Sequence, residues 1–174
     1  MTTPLGQIPP AIGPRLRLGL TIGLGVYGAW LAKTSHYSWI DSLDTAIHET
    51  GHLLFGFGGE WLGFAGGTLF QLLVPLVFVG HFVRMKDGHA ASVALWWVAQ
   101  NCWNISVYVG DARARALPLV GGGEHDWAFL LGRAGWLAKD QDLARTIHVL
   151  GVVLLVASVF WGVRSVGRQR DTSS

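Results

Sequence analysis

Charge is what this sequence has least of. Only 14% of its 174 residues are Asp, Glu, Lys or Arg, where a soluble domain carries about 25%. The 13 basic and 11 acidic residues leave a net charge of +2, too small and too scattered to suggest nucleic acid as a partner. A single cysteine, Cys102, excludes an intrachain disulfide framework and a cysteine-based zinc ribbon. No internal repeat, heptad pattern or low-complexity tract is visible. What is present in excess is apolar. Hydrophobic residues make up 51% of the chain, with nine tryptophans, 24 glycines and a mean hydropathy of +0.38. This composition excludes a disordered chain and points to an integral membrane protein of one compact domain.

A helix needs roughly 20 residues to cross a hydrocarbon core of about 30 Å. Five segments approach that length: 16–32, 40–57, 61–83, 90–109 and 143–163. The first reads as a retained anchor rather than a signal peptide, since it lacks a convincing small-x-small cleavage site. Between the fourth and fifth lies a polar connection, 111–142, holding Gly121 to Gly123 and then Glu124, His125 and Asp126. Its short apolar piece, Trp127 to Leu137, cannot span and is expected at the interface or packed back as a re-entrant helix. Residues 165–174 read as a frayed tail. The expected fold is therefore an all-α polytopic membrane bundle of about five transmembrane helices plus one short helix. Its orientation is open: with the N-terminus inside, seven basic residues would fall inside and six outside, which is no bias.

The chemistry concentrates in the second segment, at His48-Glu49-Thr50-Gly51-His52. Positions four apart on a helix differ by about 40° around the axis, so both imidazoles face one way, one turn apart. That spacing suits two ligands of one tetrahedral zinc ion, with Glu49 placed to act as the base on water. A carboxylate at mid-bilayer costs about 2.5–3.5 kcal/mol on insertion scales, so such groups persist when they face a protein interior and have partners. Asp41, Asp44, Thr45 and His52 lie within about 60° of His48 around the helix, a polar stripe suited to lining a buried site. Asp44 is a candidate to orient His48. A metal-free polar seam between helices is the plainer reading of the same stripe.

A third ligand is required. Asp111 is the first candidate, because Gln100, Asn104 and Asp111 share one face of the fourth segment. His125 and Asp126 compete for the role from the glycine-rich connection, and Glu60 is expected to meet solvent. Gly63, Gly66 and Gly67 are placed to let the third segment approach the metal helix closely, and Pro75 to kink it.

The motif, set in a hydrophobic segment, resembles the site-2 protease family of intramembrane zinc metalloproteases. In that family an aspartate at the end of a later membrane helix completes the zinc site, which the resemblance places at Asp111, preceded by Asn104. The family's asparagine-proline and aspartate-glycine pairs and its PDZ-like insertion are absent here, and Asp111-Ala112 stands in place of the second pair. A longer stretch, from Ala65-Gly66-Gly67-Thr68-Leu69 through Gln100-Asn101 to Gly123-Glu124-His125-Asp126-Trp127, is similar to a group of small bacterial membrane proteins. These resemblances imply a bacterial inner membrane and a zinc-dependent metallopeptidase. Its metal ligands would be His48, His52 and Asp111 or His125, with Glu49 as general base and Asn104 helping at the oxyanion. The expected partners are membrane lipid and a peptide or membrane-protein substrate, with other membrane subunits as a further option. The rival expectations are a non-catalytic subunit of a larger membrane complex and a metal transporter or sensor.

Overall fold

The computed structural model describes residues 13–34, 37–120 and 123–171, with side chains to residue 167. Gly121, Gly122 and the last residues of the expected tail, 172–174, lie outside the described residues. Within them the fold is entirely helical, with no strand. The helices are α1 (Pro14–Thr34), α2 (Trp39–Phe55), α3 (Glu60–Arg84), α4 (Gly88–Gly110), α5 (Asp126–Arg133) and α6 (Asp140–Asp171). Short 3-10 turns lie at Gly56–Gly58 and Leu137–Lys139. The tail expected to fray instead continues α6 as far as Asp171.

Local chemistry sets the ends of these helices. Asp41 closes the first turn of α2, its Oδ2 accepting from the backbone N–H and the hydroxyl of Ser38 at 2.5 and 2.6 Å. Gly59, at φ +99°, turns the chain from α2 into α3 in a conformation that favours glycine. Asp87 caps α4 by accepting the Ala90 N–H at 3.0 Å.

Two of the five expected spans are long and apolar enough to cross a membrane: Glu60–Arg84 and Leu137–Gly167, which contains most of α6. In their most apolar windows only 33% and 22% of residues are buried, unlike the core helix of a soluble domain. The other three segments form helices where expected but fall short of that standard. α2 has 17 residues and carries Asp41, Asp44 and Glu49. α1 opens on Arg15 and Arg17, and α4 holds His89, Gln100, Asn101 and Asn104. Polarity runs inside out across the bundle. Asp41, Asp44, His48, Gln71, Gln100 and Asn101 are buried, whereas Leu53, Val77, Val153, Val156 and Phe160 are exposed.

Glycine permits the close crossing of α2 and α3. A Cβ on Gly51 would overlap the Gly66 carbonyl, and one on Gly66 would lie 2.6 Å from the Phe55 Cβ. α1, α4 and α6 meet around Leu31, Trp96, Ala99, Trp103 and Leu155. The short helix α5 packs back on the bundle: Phe129 and Leu130 bury against Ala65 of α3, and Leu131 against Ile105 and Val109 of α4. The Phe64 and Phe129 rings stack at 4.0 Å. Gly51→Ala should therefore lower stability by about 1–3 kcal/mol through overpacking. Gly80→Ala, whose added Cβ meets nothing within 4 Å, should leave the Tm in detergent no lower than that of the parent.

Candidate metal centre

The site starts on the inner face of α2. His48 and His52 stand one turn apart with ring centroids 4.8 Å from each other. Each ring is held through its Nδ1. The His52 Nδ1 lies 2.8 Å from the Gly63 carbonyl oxygen, which can only accept, so Nδ1 carries the proton. The His48 Nδ1 lies 3.0 Å from the Gln71 Oε1, and the amide of Gln71 is oriented by donating its Nε2 to the Asn104 Oδ1 at 2.9 Å. With both Nδ1 atoms engaged as donors, the two Nε2 atoms face a common point, to which they present lone pairs when the rings are neutral.

Asp126 occupies that point. Its Oδ2 lies 2.9 Å from the His48 Nε2 and 3.2 Å from the His52 Nε2. The ligand atoms of the three residues all fall within 4.8 Å of one another. Donors around a tetrahedral zinc ion sit about 3.3 Å apart, as bond lengths near 2.0–2.1 Å require. Two imidazoles and one carboxylate are a donor set that suits zinc and leaves a fourth position open. Two neutral lone pairs aimed at one carboxylate oxygen repel, so the cluster needs a cation between the three groups or a proton on a ring. Burial alone would raise the Asp126 carboxyl, but with a proton on the rings their hydrogen bonds and charge outweigh burial and hold it below the usual carboxylate range.

Asp111 and His125 lie outside this group, although the buried His125 Nε2 has no hydrogen-bond partner among the described residues. α4 ends at Gly110, and the Asp111 carboxylate accepts the backbone N–H groups of Ala116 and Leu117 at 2.9 and 3.0 Å. It thereby folds the chain after α4 into a loop. The His125 Nδ1 caps α5 by accepting the Ala128 N–H at 3.3 Å, so its proton sits on Nε2, 3.4 Å from the Asp111 Oδ2. Burial pushes the His125 imidazolium towards its neutral form, against the opposing charges of Asp111 and Asp126. His125 and Asp111 thus fix the loop that delivers Asp126, and Asp126 is the residue grouped with the two histidines. Glu60 is exposed and pairs with Arg133 at 3.2 Å.

The polar stripe is also distributed differently from expectation. Asp44 does not orient His48. Fully buried, it accepts from Trp97 Nε1 at 2.8 Å and Asn101 Nδ2 at 3.3 Å, which ties α2 to α4. The Asp41 Oδ1 accepts from Gln100 and Asn104 at 2.9 and 2.8 Å. The Asn104 amide is therefore held on both sides, its Nδ2 donating to Asp41 and its Oδ1 accepting from Gln71.

Two contributions, those of Gln71 and Tyr108, escaped the sequence analysis, and Gly67, expected to allow the close approach of the helices, touches the site itself. Gln71 orients His48, and its signal was a lone amide in the apolar third segment. Gly67 gives the imidazole its room: a Cβ there would overlap the His48 ring. Tyr108 packs between the parts, its ring 4.2 Å from that of His125 and 5.8 Å from that of His48. Its hydroxyl accepts the Asp126 N–H at 3.2 Å. Glu49 is half-buried and lines cavities on either side of the cluster.

Comparison with protein families, with curated proteins and with solved structures finds no match.

The geometry sets two expectations for metal content, read by elemental analysis of purified protein. Asp126→Ala should lose bound zinc, whereas Asp111→Ala should retain a measurable fraction of it. Gln71→Leu should weaken zinc binding by about 10–100-fold, the usual effect of removing a partner that orients a ligating histidine.

Proposed function

We propose that this protein is a zinc-dependent metallopeptidase of the membrane. In this reading α1, α2 and α4 join the two long apolar helices within the bilayer, and peptide bonds are hydrolysed in or near it. The observation that carries the proposal is the convergence of His48, His52 and Asp126 beside a carboxylate, Glu49, that opens onto two cavities. The resemblance of the His48–His52 motif to site-2 proteases supports the same activity, with Asp126 taking the role that the resemblance assigned to Asp111.

His48, His52 and Asp126 would hold the ion, which when bound supplies Lewis acidity to water and to the scissile carbonyl. Glu49 follows His48 directly in α2 and faces the cavities, so it serves as the proton acceptor while water attacks the carbonyl carbon. The same carboxyl then delivers the proton to the leaving amine as the carbon–nitrogen bond breaks. Gln71 and the Gly63 carbonyl keep the imidazoles in their tautomers through the cycle. Tyr108 holds the backbone of Asp126. Membrane embedding agrees with the exposed leucines, valines and phenylalanines around a polar interior.

Dye-labelled β-casein, an unfolded chain whose carbonyls are open to attack, tests the activity. Glu49→Gln should keep the parental zinc content and lower the cleavage rate by at least about 100-fold. Cleavage by Glu49→Gln at the parental rate would overturn the proposal.

A further inference from the structure

Two cavities flank Glu49, and their linings differ. The first, of about 250 Å³, has apolar walls that include Leu31, Trp103, Val107 and Leu117. The amides at its floor are drawn into one network, in which Gln100 and Asn104 donate to Asp41, and Gln71 donates to Asn104. The second, of about 440 Å³, is lined by Glu49, Glu60, Glu124 and Asp126, with His52 and exposed glycine backbone. No Lys or Arg lines it among the described residues. Glu60 is shared with the exposed Arg133, and such a surface pair is weak. Glu124 is exposed and has no ion pair among the described residues.

The cavities are contiguous, since Glu49, Tyr108, Leu119 and Val120 border both. In an extended chain successive side chains point to opposite sides. A strand laid along this trough would therefore send the two residues that flank one peptide bond into different cavities. The carbonyl between them would face Glu49.

We infer that the trough selects a peptide bond joining a bulky apolar residue, seated in the first cavity, to a basic residue, seated in the second. The inference rests on the peptidase reading above and names the substrate class for that site. It fits a chain at the point where an apolar segment gives way to a basic flank, a pattern that membrane-protein segments commonly carry.

Binding tests it without turnover. Zinc-loaded Glu49→Gln protein in detergent is titrated into fluorescein-labelled hexapeptides, with anisotropy as the readout. The peptides carry leucine beside lysine, leucine beside glutamate, or alanine beside lysine, each in both orders. The leucine–lysine peptide in one order should bind at least about threefold more tightly than its glutamate counterpart, as opposite rather than like charge beside the exposed Glu60 and Glu124 implies. It should also outbind the alanine–lysine peptide. Glu124→Lys, made in the same protein, should abolish the preference for lysine, and Val107→Trp should reduce the preference for leucine.

Equal binding of the lysine and glutamate peptides, or a lysine preference that survives Glu124→Lys, would overturn the inference. The casein assay separates this failure from that of the underlying reading. If the peptide preferences hold while Glu49→Gln cleaves at the parental rate, the trough stands as a peptide site and the peptidase mechanism falls. If the preferences fail while Glu49→Gln is inactive, only the specificity falls.

Discussion

The structure depends on giving every buried charge of α2 a partner. Three acids and two histidines lie on a 17-residue helix in an apolar protein, and each would cost several kcal/mol if buried alone. The bundle distributes them. Asp41 is satisfied by Ser38, Gln100 and Asn104, and Asp44 is bonded through its Oδ1 alone to Trp97 and Asn101, with its Oδ2 buried and without a hydrogen-bond partner among the described residues. The histidines take Gln71, the Gly63 carbonyl and Asp126. These bonds connect α2 to α3, α4 and α5, so the groups that create the desolvation problem also set the helix arrangement. Glu49 differs: half-buried, it faces open space, where the proton acceptor proposed above would meet water.

Access for the site follows from glycine on one side and side-chain amides on the other. Against α3 the approach is close enough that Gly51, Gly66 and Gly67 leave no room for a Cβ. Against α4 a cavity intervenes, floored by Gln100 and Asn104. α2 thus packs directly on α3 and reaches α4 through the side-chain bonds of Asp41 and Asp44, with Glu49 opening onto the cavity beside them. Pro75 adds a local feature to α3. It has no N–H to offer the Gln71 carbonyl one turn earlier, so the backbone at the residue that orients His48 lacks its usual helical hydrogen bond.

The chain after α4 adds an aspartate to the pair of histidines, making a group of three side chains that could hold a metal ion. Asp111 folds the loop by accepting two backbone N–H groups, and His125 caps α5. Phe129, Leu130 and Leu131 then press α5 onto α3 and α4. Asp126, in the first turn of α5, is carried to the imidazoles by this packing. His125 and Asp111 are as rich in donor atoms as Asp126, but the Asp111 oxygens and the His125 Nδ1 are already committed to the fold, which leaves only the buried His125 Nε2 without a hydrogen-bond partner among the described residues. A residue's chemistry makes it a candidate ligand, and the partners it has already found decide whether it remains one.

Local pattern was enough to read the helical class, the positions of the long helices, the facing pair His48 and His52, and the small-residue contact at Gly66 and Gly67. Each follows from a helical repeat of 3.6 residues or from the size of one side chain, properties that a short stretch of sequence carries whole. The assignment of Asp126, the diversion of Asp44 to Trp97 and the supporting role of Gln71 were not legible in that way. Each depends on which atoms meet across 23 to 78 residues of chain. Those meetings are settled by apolar packing of α3, α4 and α5, because burial is non-directional and brings polar groups together only as a consequence of where the helices come to rest.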